Sequence, residues 1–379
     1  MSVTAPDGFV AAGIAAGIKG AGRLDLAVVV AEDGAVPAAG AFTQNRAAAA
    51  PVVLSRRRLA AGRARAILLN SGCANAATGE RGREAAETTT GAVAAALGCP
   101  SREVLAMSTG PIGSYLDIDS LTARVPELLA LASREGGETA AEAILTTDSR
   151  TKTVIVNGPN FIIGGMAKGA AMLRPDMATM LAVLTTDAAV DASTLQRVLA
   201  EAAAVTFNSL NVDGCESTND SLVLLASGRA GPASESELGE GVIKACSSLA
   251  VEMAADAEGA SKTVRIIVTG AAEDLLARRV GKAVADSALV RASFYGSDPN
   301  WGRILAAIGT CPVDVDQVSI SYQSVPVFRT GSPVEDVELE GLLDSDFVVQ
   351  VSLGSGSGRA EIITTDLTPE YVRFNGERS

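Results

Sequence analysis

The chain has 379 residues, with 31 Lys and Arg against 44 Asp and Glu, no histidine, and a net charge of −13. Without an imidazole there can be no Ser-His-Asp or Cys-His catalysis and no His-ligated metal, so any general base is a carboxylate, a lysine or an amine. The acidic balance and an aromatic content of 3% argue against a surface that tracks phosphates or stacks bases, so nucleic acid is not an expected partner.

Hydrophobic residues make up 47% of the chain, enough for a sizeable core. The longest uncharged run, 15 residues from Thr153 to Ala167, is broken by Pro159 and three glycines, so no bilayer span and no membrane partner are expected. The first segment, MSVTAPDGFVAAGIAAGIKG, carries Asp7 and no basic leader, which predicts a cytoplasmic protein. Five scattered cysteines (Cys73, Cys99, Cys215, Cys246, Cys311) with no CxxC spacing read as reduced core thiols.

In chain order, apolar runs predict strands over Leu24–Ala31 and Arg65–Asn70, followed by a helix over Glu80–Leu97 and a strand over Glu103–Met107. Helices are expected over Ser120–Ala132 and Thr139–Leu145, then strands over Lys152–Val156, Phe161–Gly164 and Leu181–Thr185. A helix over Ala192–Phe207 precedes a strand over Ser221–Ala226. Ser227–Glu237 reads as a loop, and a long helix follows over Glu235–Asp256. The last part predicts strands over Thr263–Thr269, Val318–Tyr322 and Phe347–Ser352, a helix over Leu275–Ala292, and a flexible hairpin turn at GSGSGRAE near Gly354. This is a mixed α/β chain without a fixed repeat, and it predicts two packed lobes with helices layered around β-sheets.

The stretch Gly164–Ala188, GGMAKGAAMLRPDMATMLAVLTTDA, sets a Gly-rich loop and Pro175 before Met177-Ala178-Thr179 and an apolar strand. A Thr hydroxyl is a poor nucleophile without a base. Cutting the chain before the Thr solves this: the freed α-amine, with a reference pKa of about 8, sits beside the hydroxyl and serves as its base. A cation such as Lys168 would lower that pKa further. On its own, an Ala-Thr pair at a loop-to-strand junction is more often plain structure.

KGAAMLRPDMATMLAVLTTDA closely resembles the self-cleaving junction of the ornithine acetyltransferase (glutamate N-acetyltransferase) family, whose usual form is KGSGMIAPNMATML followed by a TTDA strand. Further blocks also resemble that family: AFTQNRAAAAPVVLSR (41–56), NSGCANAATG (70–79), STGPIG (108–113), AILTTDSRTK (143–152), VDGCESTNDS (212–221), DAEGASK (256–262), GSDPNWGRILAAIG (296–309) and YVRFN (371–375). They are ordered along nearly the whole chain. The resemblance implies an N-terminal-nucleophile type of acyltransferase fold, cut between Ala178 and Thr179 into an α-chain (1–178) and a β-chain (179–379) that assemble as a heterotetramer of two of each.

It also implies ping-pong transfer of acetyl from N-acetylornithine through Thr179 to glutamate, in arginine biosynthesis. No cofactor or metal is implied, although some members of the family accept acetyl-CoA as donor. Thr109, through its side chain or amide, and Gly110, through its amide, would form the oxyanion hole. Lys168, Glu258, Thr146 (rather than Thr147) and Asn375 would contact substrate. Family members commonly end with an Asn followed five residues later by a terminal Thr or Ser; here Ser379 follows Asn375 by four, so the match at Ser379 is shortened. Cys73 stands where the family usually has Asn, and Ala77 where it often has Cys. Asp213, Asn219, Asp298, Asn300 and Arg303 are polar residues that could bind substrate, and they read equally well as turn caps and buried structural pairs. Two other classes compete with the transferase: a self-processed amidase or aminopeptidase, in which water takes the acyl group, and a non-enzymatic acidic α/β binding protein left uncut.

Overall fold

The computed structural model describes residues 2–20, 22–172, 180–339, 341–354 and 356–377. They form two compact units. The first comprises Met1–Asn208 and Cys215–Met253, the second Ser209–Gly214 and Ala254–Ser379.

In the first unit, β1 (Phe9–Ile14), β2 (Leu26–Ala31), β5 (Ala66–Ser71) and β6 (Val104–Thr109) make a four-stranded sheet in that order. A six-stranded sheet has the order β4 (Arg63–Ala64), β3 (Val36–Phe42), β11 (Ser221–Pro232), β9 (Leu181–Ala189), β8 (Ile162–Lys168) and β7 (Lys152–Asn157). The strand period of two distributes their side chains between layers. Ala27, Val29 and Ala31 of β2 join Ile67 and Leu69 of β5, Leu105 and Met107 of β6, Leu181 and Val183 of β9, and Val223 and Leu225 of β11 in one core between the sheets. The alternate residues Leu26, Val28 and Val30 face outward onto α2 (Gly79–Leu97) and α3 (Ile118–Ala130), through Ala85, Val93, Leu121 and Val125.

On that outer side α1 (Ala50–Leu59) packs on β6, with Leu54 against Ala106, whereas α4 (Gly137–Ala143) packs on the inner face of β1, where Ala140, Ala141 and Ala143 join the core between the sheets. The far face of the six-stranded sheet meets α5 (Ala192–Val205) against β3 and α6 (Glu235–Ala255) against β8, where a Cβ on Gly241 would come within 2.8 Å of Ile163. The result is helix, sheet, sheet, helix, in agreement with the layered mixed α/β expectation.

The second unit is a seven-stranded sheet, β10 (Leu210–Asn211), β17 (Gly358–Thr365), β12 (Thr263–Ala271), β16 (Phe347–Ser352), β13 (Ser319–Tyr322), β14 (Val325–Arg329) and β15 (Ser332–Pro333). One of its faces packs on α7 (Asp274–Asp286), α8 (Ala288–Tyr295) and α9 (Trp301–Ile308), through Val264, Ile266 and Val268 against Val280, Val284, Phe294 and Ile304. The last helix is α10 (Pro369–Glu377).

Several expectations are corrected. The turn near Gly354 is not a hairpin: β16 runs parallel and β17 antiparallel to β12 on its two sides, so the connection passes around the end of β12, with the Leu353 and Gly356 amides on the carbonyls of Thr269 and Gly270. The single helix over Leu275–Ala292 is two, because Ser287 takes an extended conformation and caps α8 by accepting from the Val290 amide. The loop at Ser227–Glu237 is mostly strand, since β11 resumes pairing with β9 after a bulge, Gly231 opposite Ala188. The cysteines form no disulfide, but only Cys73, Cys246 and Cys311 are buried; Cys99 is half-buried and Cys215 exposed. Among the described residues no helix is long and apolar enough to cross a membrane.

The inter-sheet core is expected to dominate stability. Leu69→Ala removes a fully buried side chain there and should lower the unfolding free energy by about 2–5 kcal/mol in urea titrations, whereas Leu275→Ala, at a 70% exposed position, should stay within about 0.5 kcal/mol.

Candidate active site

β6 ends at Thr109, which lies opposite Ser71 of β5 and accepts the Cys73 amide on its carbonyl at 3.1 Å. The next residue, Gly110, has φ of +137°, and a Cβ there would stand 2.5 Å from Cys73 N and 2.6 Å from Gly72 C. Only glycine fits that approach. Asn219 fixes the same turn from below, its Nδ2 donating to the carbonyls of Ala74 at 2.7 Å and Ser108 at 2.9 Å. Of the two roles its sequence context left open, these bonds are the structural one. Asn300 is likewise a cap, its Oδ1 accepting from the Arg303 amide at the start of α9.

Lys168 is the last residue of β8 and only 3% exposed. It lies opposite Leu181 of β9, and directly opposed residues of an antiparallel pair share a face. Since Leu181 faces the inter-sheet core, Lys168 points the same way, toward β6. Its Nζ donates to Thr109 Oγ1 at 3.2 Å. An ammonium can only donate, so the Thr109 hydroxyl accepts here and keeps its own proton for another acceptor. This is the state an oxyanion donor needs. A solvated loop lysine, the ordinary alternative, is thereby replaced by a buried strand cation.

The group that organises these elements is one that sequence reasoning passed over. Asp148 lies in the turn after α4 with its side chain wholly buried. Its Oδ1 accepts from Lys152 Nζ and from the Gly169 amide, both at 2.7 Å; its Oδ2 accepts the Thr146 amide at 3.1 Å and stands 3.8 Å from Lys168 Nζ. Burial alone would push the carboxyl pKa up, but Lys168, Lys152 and the hydrogen bonds from Lys152 and Gly169 together hold it well below the usual carboxylate range. Thr146 is half-buried on this acid while Thr147 is exposed. The available signal was the i, i+4 spacing of Asp148 and Lys152 within TTDSRTK.

Asp220 was also missed. Its Oδ1 accepts the Met180 amide at 2.7 Å, next to the junction, and burial drives its pKa well above the ordinary value despite that bond and Lys168. Ala178 and Thr179 themselves lie outside the described residues, as does Ser379. Of the thiols, burial pushes Cys73 up, partly offset by a bond from the Asn75 backbone, and pushes Cys246 up to about 12, which makes both poor nucleophiles.

In the second unit Glu258 is 8% exposed in the turn after α6. That turn is seated on the start of α10: the Gly259 carbonyl accepts from Thr368 Oγ1 at 2.5 Å, and a Cβ on Gly259 would stand 2.4 Å from Tyr371 N. Asn375 is exposed on α10, its Nδ2 donating to the Tyr371 carbonyl at 3.0 Å. A cavity of about 690 Å³ between α7, α8 and α9, lined by Asp286, Asn300 and Arg303 among others, contains none of the expected site residues. In the first unit, a cavity of about 380 Å³ shares Gly72 and Cys73 with the Thr109–Gly110 turn.

The pattern of the ArgJ family matches residues 10–379. The chain belongs to the ArgJ family. It is 46% identical over 382 residues to the arginine biosynthesis bifunctional protein ArgJ of Thermobifida fusca (strain YX), covering 100% of both chains. To the protein of the same name from Mycobacterium tuberculosis (strain ATCC 25618 / H37Rv) it is 45% identical over 388 residues, covering 100% of this chain and 96% of that one. Among solved structures it is similar to ornithine acetyltransferase complexed with ornithine from Mycobacterium tuberculosis, at 43% identity over 48% of this chain and 96% of that chain, with a TM-score of 0.43. At family level this is an acyltransferase of arginine biosynthesis.

Asp148→Asn leaves two buried lysines without their carboxylate and should destabilise the fold by about 3–5 kcal/mol at pH 7. Because the folded carboxyl pKa is depressed, the stability that Asp148 contributes is present above its unfolded value of about 3.9 and is lost as pH falls toward the folded one. Urea titrations should therefore show the gap between wild type and variant narrowing below about pH 4.

Proposed function

We propose that the protein transfers acetyl from N-acetylornithine to glutamate through an acetyl-Thr179 intermediate, after cutting itself between Ala178 and Thr179. Full-length membership of the ArgJ family carries this reading. The buried Lys168–Thr109 contact supports it, because it leaves the Thr109 proton available to a developing oxyanion.

In the proposed cycle the Thr179 α-amine takes the hydroxyl proton as Oγ1 attacks the acetyl carbonyl. The Thr109 hydroxyl and the Gly110 amide receive the oxyanion, and the same amine returns the proton to the leaving amino group of ornithine. Glutamate then reverses the sequence. Lys168, with Thr146 beside it, binds the substrate carboxylate, while Glu258, Asn375 and Ser379 complete the contacts, Glu258 pairing with the substrate ammonium. The α-chain 1–178 and β-chain 179–379 assemble as a heterotetramer of two of each in the cytoplasm. Acetyl-CoA is a second donor in this proposal, and no prosthetic group takes part.

Purified protein should run as fragments of 178 and 201 residues, the second starting at Thr179, and Thr179→Ala should stay in one piece. Incubation with N-acetylornithine alone should release one ornithine per enzyme and add about 42 Da, one acetyl group, to the Thr179 fragment; glutamate should clear it. An uncut active enzyme, or intersecting double-reciprocal plots with no adduct, would refute the covalent mechanism. An adduct that water clears as fast as glutamate does would instead make the protein a hydrolase.

Thr109→Ala should lower kcat by roughly 10²–10³ with little change in KM, as for loss of one oxyanion donor. An unchanged kcat would leave the backbone amides as the only donors.

A further inference from the structure

Lys19 belongs to a loop that the first unit builds with care. Asp25, fully buried, receives the Ala16 amide on Oδ1 at 2.6 Å and the Lys19 amide on Oδ2 at 2.9 Å, which pins the loop to the start of β2. The Lys19 stem then runs over Gly72, where a Cβ would come within 2.7 Å of Lys19 Cγ. Gly72 is the residue whose backbone crowds Gly110. At the far end Lys19 Nζ donates to the Leu145 carbonyl at 2.8 Å, one residue before Thr146. The half-buried ammonium thus lies by the Thr146 turn, on a stem that crosses the backbone behind Gly110.

Among the described residues the charged groups acting on it are Arg23, Asp25, Lys168 and Asp148. With Lys19 itself, these are three cations and two carboxylates, so the cluster is net positive within a chain of net charge −13. An ammonium carries three donors, and the Leu145 carbonyl takes one. We propose that Lys19 is a second ammonium of this site, binding a carboxylate of the substrate alongside Lys168. The acetyl-transfer reading supplies the identity of that carboxylate, and the net cationic cluster supplies the reason to bind one. Burial, then Arg23, lower the Lys19 pKa to about 8, with Asp25 opposing and Lys168 adding, so this binding should fade as pH rises past that value.

Calorimetric titration of L-ornithine and glutamate into the full chain tests this separately from turnover. Lys19→Met should self-cleave like wild type and bind both ligands roughly 10–100-fold more weakly, the range for a lost charge-assisted hydrogen bond. Steady-state rates should show the same loss in KM, with kcat within about threefold. Lys19→Arg stays charged at every working pH, so it should hold wild-type affinity at pH 7 and keep it above pH 8, where wild type weakens. Unchanged affinity in a folded, cut Lys19→Met protein would overturn the proposal. So would identical pH profiles for wild type and Lys19→Arg, which decides the matter even if Lys19→Met fails to fold. A wild type that binds ornithine but transfers no acetyl group would refute the transferase reading alone.

Discussion

Lys152 and Lys168 are both withdrawn from water, and an ammonium in that position is tolerated only with a carboxylate close by. Asp148 fills that role for both, at 2.7 and 3.8 Å, and its remaining lone pairs take up the amides of Thr146 and Gly169. One side chain therefore ties the turn after α4 to the first strand of the hairpin β7–β8 and to the residue that leaves β8 toward the junction. The position of Lys168 against Thr109, on which the oxyanion reading rests, follows from this arrangement. It is a charge network held in register by a sheet, since the pairing of Lys168 with Leu181 sets which face the ammonium occupies.

A protein without histidine has to surround its acyl-transfer site with carboxylates and lysines, whose ordinary pKa values lie far from neutrality. Burial and neighbouring charge move several of them in useful directions. Asp148 stays ionised, Asp220 is pushed toward its neutral form beside Met180, and Lys19 falls into the range where modest changes of pH alter its charge. The two aspartates differ because Asp148 has two ammoniums within 4 Å, whereas among the described residues Asp220 has a neutral close donor, the Met180 amide.

The strands that are buried on both faces were plain in the sequence. LAVVVA and AILLNS are continuous apolar runs, as expected for strands between two covering layers. Those missed were diluted: FVAAGI and VPAAGAF are rich in Ala and Gly, and GRAEIITT mixes charge with a one-sided apolar pattern. The Gly354 turn was misread because local composition reports a bend and says nothing of which strand lies alongside; here β12 occupies the gap. In the site, Thr109, Gly110 and Lys168 were legible through their motifs. Asp148 was not, because an Asp in a Thr-Thr-Asp turn looks like a cap until the fold brings Lys168, 20 positions further along the chain, to within 3.8 Å. Glu258 and Asn375 were picked out by motif as well, and the structure adds that the Glu258 turn and α10 support each other.

The six-stranded sheet has a particular weave. Read across, β4 and β3 come from before the proposed cut, β11 and β9 from after it, and β8 and β7 from before it again. The later segment thus enters as a parallel pair clasped on both sides by antiparallel strands of the earlier one, along Ala38–Phe42 on one flank and Ile163–Lys168 on the other. Breaking one peptide bond between β8 and β9 would sever the chain without unlacing the fabric. Separation of the halves would demand stripping two ladders of hydrogen bonds and exposing the core between the sheets, a cost comparable to unfolding. Cut there, the first unit would still be held together by its sheet, and either half made alone would leave an unpaired strand edge open to water.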